Sequence, residues 1–314
     1  MYPITLGSQR QWLLRCQRCL SCSPDGSFSE QALHEFYASD YFEGAEWQVQ
    51  KNRLLAADYI QKADACGLLT PGLRYLEIGA SYGHFADACH RRTHSTVDVI
   101  ELSRDCRRYI ESRFSGIRIL GATLDDVPSD RVYDRILCFH VIEHVPLVRL
   151  FLSQVAAHLA PGGRLLIVTP NAAARSFLRN GARWGWSCTN QHCTFLSPFI
   201  PDSFFQSAGF DVLARRSVRP APIHTPSSVL LVIEEGLRRL DRLHNESLSA
   251  RTFCAKVAWR VLAGLRPQFQ QNNPEATLLR IERFFHRFQG ANHRDELLLL
   301  LAKRPCQTTS DTAA

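Results

Sequence analysis

Between residues 52 and 215, short runs of uninterrupted apolar residues alternate with stretches of helical periodicity, and this alternation constrains the fold more than any single motif. "LRYLEIG" (73–79) precedes "HFADACHRR" (84–92), and "TVDVIEL" (96–102) precedes "SRDCRRYIESRF" (103–114), where Ser103 is placed to cap a helix. "IRIL" (117–120), "YDRILCFHV" (133–141) and "RLLIVTP" (164–170) continue the series, with a helix expected over about 146–159 and closed by the breaker "APGG" (160–163). A strand apolar on every residue has no face for water, so helices must cover both sides of the sheet. The pattern therefore predicts a mostly parallel α/β sheet. Beyond it come a helix at "PDSFFQSAG" (201–209), with Gly209 to stop it, and strands at "FDVLARRSV" (210–218) and "ELLLLLAKR" (296–304).

The pattern sets the expected organisation. Residues 1–50 are a lead-in with a cysteine cluster. Residues 51–218 together with 294–305 form the sheet domain, and 306–314 a polar tail. Residues 219–293, where the strand signal stops and amphipathic helices rich in Arg take over, read as a helical insertion before the last strand. That insertion is expected to cover the substrate side, the alternative being a dock for an anionic carrier or a membrane surface. The net charge of +7 over 314 residues is mild. No RNA-recognition motif or dense basic stripe accompanies it, so no nucleic-acid partner is expected. No apolar run reaches the roughly 20 residues of a membrane span. The first residues do not read as a signal peptide, and most cysteines stand singly in apolar surroundings, so a reduced cytoplasmic setting is expected.

In an open parallel sheet, ligands bind beyond the carboxyl ends of the strands where the strand order reverses. The first such end reads "YLEIGASYGHF" (75–85), a glycine turn preceded by a carboxylate, Glu77. It lacks the third glycine of a dinucleotide fingerprint and the Lys-Ser/Thr of a P-loop. A carboxylate there repels phosphate and suits a ligand that is cationic nearby, and S-adenosylmethionine carries an ammonium and a sulfonium but no phosphate. Gly79 and Gly83 let backbone approach such a ligand closely. Glu101, 24 residues after Glu77, falls at the next strand tip, where an acid can accept both ribose hydroxyls. Taken alone it reads equally well as a solvated strand-end carboxylate.

With "GATLDDVPSDRVYDRILCFHVIEHV" (121–145) and "LAPGGRLLIVTPN" (159–171), these segments resemble the class I S-adenosylmethionine-dependent methyltransferases, specifically the broad group that includes the quinone-ring O-methyltransferases. The resemblance implies a seven-stranded Rossmann-like sheet with its last strand antiparallel. It implies methyl transfer to a small-molecule acceptor, most readily a hydroxyl, with C- or N-methylation in natural-product or sugar biosynthesis as the alternative. The basic charge and the Cys cluster leave an RNA-modifying methyltransferase as a further reading, and a non-catalytic cofactor-binding protein is another. The resemblance also implies that Glu77, Gly79, Ala80, Ser81 and Gly83 hold the methionine part, and Glu101 with Leu102 the ribose and one adenine face. Thr123, Leu124 and Asp125 would meet the adenine edge, although Ala122 stands where many relatives have Asp.

"HVIEHV" (140–145) follows the fourth strand of the series, where the resemblance places residues near the transferred methyl. His140 would lie beside the cofactor and His144 would act as general base, imidazole titrating near neutrality. His192 would face the acceptor, walled by Trp184 and Trp186, and Tyr37 and Tyr41 would close over the cofactor. Each of these residues also admits a plain packing or capping role. No metal is expected. His140, Glu143 and His144 form an alternative ligand set better suited to Zn²⁺ than to Mg²⁺. Cys16, Cys19 and Cys22 form another, but a closed zinc site needs four ligands, so a degenerate zinc ribbon or free thiols is expected there.

Overall fold

The computed structural model describes residues 2–6, 9–24, 46–180, 192–219 and 295–305. All belong to one compact unit, Met1–Arg219 with Arg294–Ala314. The helical insertion expected over 219–293 lies almost entirely outside the described residues, as do Tyr37, Tyr41, Trp184, Trp186 and the tail after 305.

The expected sheet is present. Its strands are β4 (Tyr75–Ile78), β5 (Val97–Ile100), β6 (Ile117–Gly121), β7 (Tyr133–Phe139), β8 (Leu159–Pro170), β9 (Phe210–Val218) and β10 (Glu296–Lys303). They lie in the order β6-β5-β4-β7-β8-β10-β9. Neighbours from β6 to β8 are parallel, and β10 runs antiparallel to both β8 and β9. Strand order reverses at β4, which pairs with β5 on one side and β7 on the other, so a ligand crevice opens at its carboxyl end. Strands β4 and β5 are buried at every residue, and β10 is buried from Glu296 to Leu301, whereas edge strand β6 is only half-buried. This is why the central strands carry no polar alternation.

Helices α1 (Glu46–Ala65), α2 (His84–Thr93), α3 (Arg104–Arg113) and α4 (Val148–Ala157) follow the predicted positions. They are followed by two short helices, α5 (Arg175–Asn180) and α6 (Asp202–Gln206). Helix α1 starts six residues before the periodic pattern does. Ser103 caps α3 as predicted, its side chain accepting from the Cys106 amide. Gly209, at φ +90°, ends the turn after α6 in the left-handed region. Among the described residues, no helix is long and apolar enough to cross a membrane.

Two features differ from the sequence expectation. The breaker "APGG" does not precede β8 but sits inside it. Leu159 pairs with Tyr133 and Arg164 with Arg135, so residues 160–163 bulge opposite Asp134, with Gly162 at φ +74°. The lead-in, where the sequence showed only a cysteine cluster, also carries strands. Strands β1 (Tyr2–Leu6), β2 (Gln9–Arg15) and β3 (Cys22–Pro24) form a small antiparallel sheet, docked through a Cys22–Phe195 bridge.

Candidate functional site

The turn after β4 is held from the neighbouring strand. The Gly79 and Ala80 amides both donate to the Ile100 carbonyl, at 2.9 and 3.3 Å, and the Ser81 amide donates to Glu101 Oε2 at 2.6 Å. Gly79 stands at φ +74°, and a Cβ there would come within 2.4 Å of Val141 Cγ2. Backbone conformation and space both require glycine at this position. Gly79→Ala should therefore destabilise the protein by about 1–3 kcal/mol, from left-handed strain and the clash, and weaken cofactor binding with it. Urea unfolding with and without S-adenosylmethionine measures both effects.

Glu77 is 3% exposed, and its Oε2 is buried with no hydrogen-bond partner. Burial pushes its carboxyl well above the ordinary range, and the nearby Glu101 adds to the shift. A buried carboxylate oxygen without a donor beside the switch-point crevice is the environment a ligand ammonium would complete. Glu101 is buried too, and burial again raises its carboxyl, opposed by the amides of Ser103 and Ser81. Its Oε1 accepts from Ser103 N at 2.8 Å, so each oxygen holds one backbone bond and keeps a second lone pair for a ribose hydroxyl. Arg107 donates to the carbonyls of Glu101 and Leu102, which fixes the backbone beyond the strand.

In the loop after β6, Leu124 is buried and Asp125 exposed. The residue that shapes the loop is Asp126, whose Oδ2 accepts from the amides of Ala122 and Thr123 at 2.7 and 2.9 Å. Those bonds hold the Asp126 carboxyl below its usual range. The sequence reading missed Asp126, although a Thr followed three residues later by an acid is a capping pattern, and both bonds of that capping box are present.

Across the crevice, the grouping His140, Glu143 and His144 does not converge. His140 is partly buried at φ 53°, with Nδ1 3.0 Å from Glu143 Oε1 and Nε2 3.1 Å from Glu296 Oε1. Both ring nitrogens face carboxylates, so neither is directed at a metal shared with His144. Burial opposes charge on this ring, yet Glu143 and Glu296 prevail and raise it to about 9. Burial would likewise raise Glu143, but His140, with His144 and His192 nearby, holds it at about 2. Glu143 Oε2 also accepts from Thr169, and Glu296 accepts from Lys62 Nζ at 2.7 Å.

What does converge is Glu143, His144 and His192, each offering a ligand atom within 4.8 Å of the others. Such a trio is close enough to hold one divalent cation. His192 reaches it because the amides of Cys193 and Thr194 donate to the Glu143 carbonyl, at 2.8 and 3.0 Å, and Thr194 Oγ1 bonds Val145 O. The rings of His144 and His192 sit 4.6 Å apart, tilted by 63°. Cys16, Cys19 and Cys22 do not gather around a common point in this way: Cys16 is exposed and Cys22 is buried, its thiol pushed up to about 12 by burial.

Comparison with known proteins decides the family. A family model described as a methyltransferase domain matches residues 42–215, more than half of the chain. The chain belongs to the class I methyltransferase family. Ubiquinone biosynthesis O-methyltransferase from Rickettsia conorii is 27% identical over 135 residues, covering 40% of this chain and 47% of the relative. Its counterpart from Nitrobacter winogradskyi is 28% identical over 160 residues, covering 48% and 61%. The methyltransferase thus spans about half the length of these curated relatives. Among solved structures, Haemonchus contortus phosphoethanolamine N-methyltransferase 2 with S-adenosyl-L-methionine is 14% identical, covering 90% of this chain and 62% of that one, at a TM-score of 0.49. An S-adenosylmethionine-dependent methyltransferase from Mesorhizobium loti is 15% identical, covering 74% and 92%, at 0.44.

Proposed function

We propose that this methyltransferase binds S-adenosylmethionine along the carboxyl ends of β4 and β5 and methylates a hydroxyl of a small-molecule acceptor. The observation that carries the reading is the unpartnered, buried Glu77 Oε2 beside a glycine turn and a second strand-tip acid. When bound, S-adenosylmethionine supplies a methyl group already activated by its sulfonium. Glu77 takes the ammonium, Glu101 the ribose hydroxyls, and residues 122–125 border the adenine. Gly79, Ala80, Ser81 and Gly83 leave the backbone open to the methionine part. The acceptor lies against Glu143, His144 and His192. His144 removes the hydroxyl proton, and Glu143, held anionic, stabilises the imidazolium that results. The curated relatives named as O-methyltransferases support the hydroxyl assignment.

Calorimetric titration with S-adenosylmethionine, followed by mass spectrometry of an extract incubated with enzyme and methyl-labelled cofactor, tests both halves. Absence of binding ends the cofactor reading, and a labelled carbon or amine in the product ends the hydroxyl reading. His144→Ala should leave cofactor affinity within about twofold and lower kcat about 100-fold. Normal turnover by that variant refutes its role as base.

The 4.8 Å spacing of Glu143, His144 and His192 favours a second reading, in which the three hold a divalent cation on the acceptor side. Activity lost on exhaustive chelation and restored by Zn²⁺ or Mn²⁺ supports that reading, and activity indifferent to chelation excludes it.

A further inference from the structure

The lead-in contains a dithiol that the methyl-transfer reading leaves unused. Residues 16–21 form a tight turn between β2 and β3. The Cys16 amide donates to Ser21 O at 2.8 Å, the Leu20 amide donates to Cys16 O at 2.9 Å, and Leu20 takes the left-handed conformation at φ 61°. These bonds close residues 16–21 into one loop that carries both Cys16 and Cys19, and the backbone amides of Cys19 and Arg18 favour a thiolate at Cys16. Cys16 is exposed, and both cysteines carry free thiols. The turn is anchored on the far side, where Ser197 Oγ donates to the Cys19 carbonyl and the Ser197 amide donates to Ser21 Oγ at 3.1 Å. The third cysteine is closed off from solvent: Cys22 is 2% exposed, its thiol lies 3.9 Å from the Leu20 carbonyl and its backbone pairs with Phe195.

We propose that Cys16 and Cys19 form a reversible dithiol–disulfide site, with Cys16 as the attacking thiolate and a low-molecular-weight disulfide of the glutathione type as oxidant. An accessible cysteine and a partner thiol three residues on in the same hydrogen-bonded turn are the arrangement such exchange requires. The Cys19 and Arg18 amides lower the Cys16 thiol below its ordinary value. In the first step the Cys16 thiolate attacks one sulfur of oxidised glutathione. A Cys16–glutathione bond forms, the glutathione S–S bond breaks and one glutathione leaves as thiolate. In the second step Cys19 gives up its proton to solvent and attacks the Cys16 sulfur. The Cys16–Cys19 bond forms, and the second glutathione leaves and is protonated. Two electrons pass from the protein to one glutathione disulfide, giving two glutathione molecules.

The test is mass spectrometry of the full chain incubated with oxidised glutathione and then alkylated. The wild type should lose both alkylatable thiols at Cys16 and Cys19, retain no glutathione and leave Cys22 unmodified. Cys19→Ser should stop at one glutathione on Cys16, and Cys16→Ser should react at least about tenfold more slowly. Because Cys16 is exposed, its substitution repacks no core, and a Cys16→Ala variant should behave as Cys16→Ser does; Cys19 packs against the core, so the Cys19→Ser result counts only if that variant keeps the melting temperature of the wild type. In the untreated protein, iodoacetamide at neutral pH should alkylate Cys16 at least about tenfold faster than Cys22. Three results overturn the proposal: a wild type that keeps both thiols or stops at the mixed disulfide, a bond to Cys22 in place of Cys19, or zinc in the purified protein whose removal by chelator is what frees these thiols.

Discussion

Glu77→Gln should raise the melting temperature of the unliganded protein while weakening S-adenosylmethionine binding by 10²- to 10³-fold, on the order of 3–4 kcal/mol. Both effects come from one oxygen. With no ligand, the Glu77 carboxyl is buried, Oε2 has no donor, and Glu101 stands close by. Its pKa in the folded state is therefore raised above the unfolded value of 4.5. For an acid shifted upward, the folded state is most favoured below the unfolded pKa, and stability is lost as pH rises from there through the folded value. A neutral amide of the same shape removes that loss, and each kcal/mol recovered is worth roughly 2–4 °C in a domain of this size. The same amide cannot pair with an ammonium group as a carboxylate does. Cofactor affinity of the wild type should accordingly fall as pH drops below the raised pKa, because binding requires the ionised form. Scanning calorimetry and titrations across pH read the two effects. A variant that loses stability, or binds as well as wild type, contradicts the assignment.

His140→Ala should destabilise the protein by about 3–5 kcal/mol in urea unfolding, more than a buried imidazole would cost through packing alone. Its ring lies between Glu143 and Glu296, both fully buried. Removing it leaves two buried carboxylates with less positive charge between them, and Lys62, which also pairs with Asp58, contacts Glu296 but not Glu143. Glu296→Gln added to His140→Ala should recover part of the loss, because the second change removes one of the carboxylates. Strict additivity of the two changes would show that His140 acts through packing. Glu296 opens an otherwise apolar strand, "ELLLLL", more than 150 residues from its partner His140, and that out-of-pattern acid was the only local sign of the network.

Much of the fold could be read from the chain because its determinants are local. Seven apolar runs became the seven strands, Ser103 capped α3, and Gly209 ended the turn after α6. The reading failed where a local signal had two outcomes. "APGG" breaks a helix in most settings, but the pairing of β8 with β7 is strong enough on either side to absorb those residues as a bulge. The lead-in strands carry little alternation and gain their place by docking on Phe195, which no local pattern announces.

At the site, strand-tip acids and glycines are defined by position along a strand and by backbone conformation. Glu77, Glu101, Gly79 and Gly83 were therefore identifiable before any coordinates. The proposed acceptor side is built differently. Spacing in the chain grouped His140 with Glu143 and His144, whereas the fold turns His140 toward Glu296 and brings in His192 from 48 residues beyond His144. The sequence alone determined the sheet, its switch point and the strand-tip acids beside it, since each depends on neighbours a few residues apart. Tertiary structure alone decided which carboxylates share a proton-bearing ring and which histidines meet. Those pairings depend on packing between distant segments, and the desolvation that sets their charge exists only once the segments are packed.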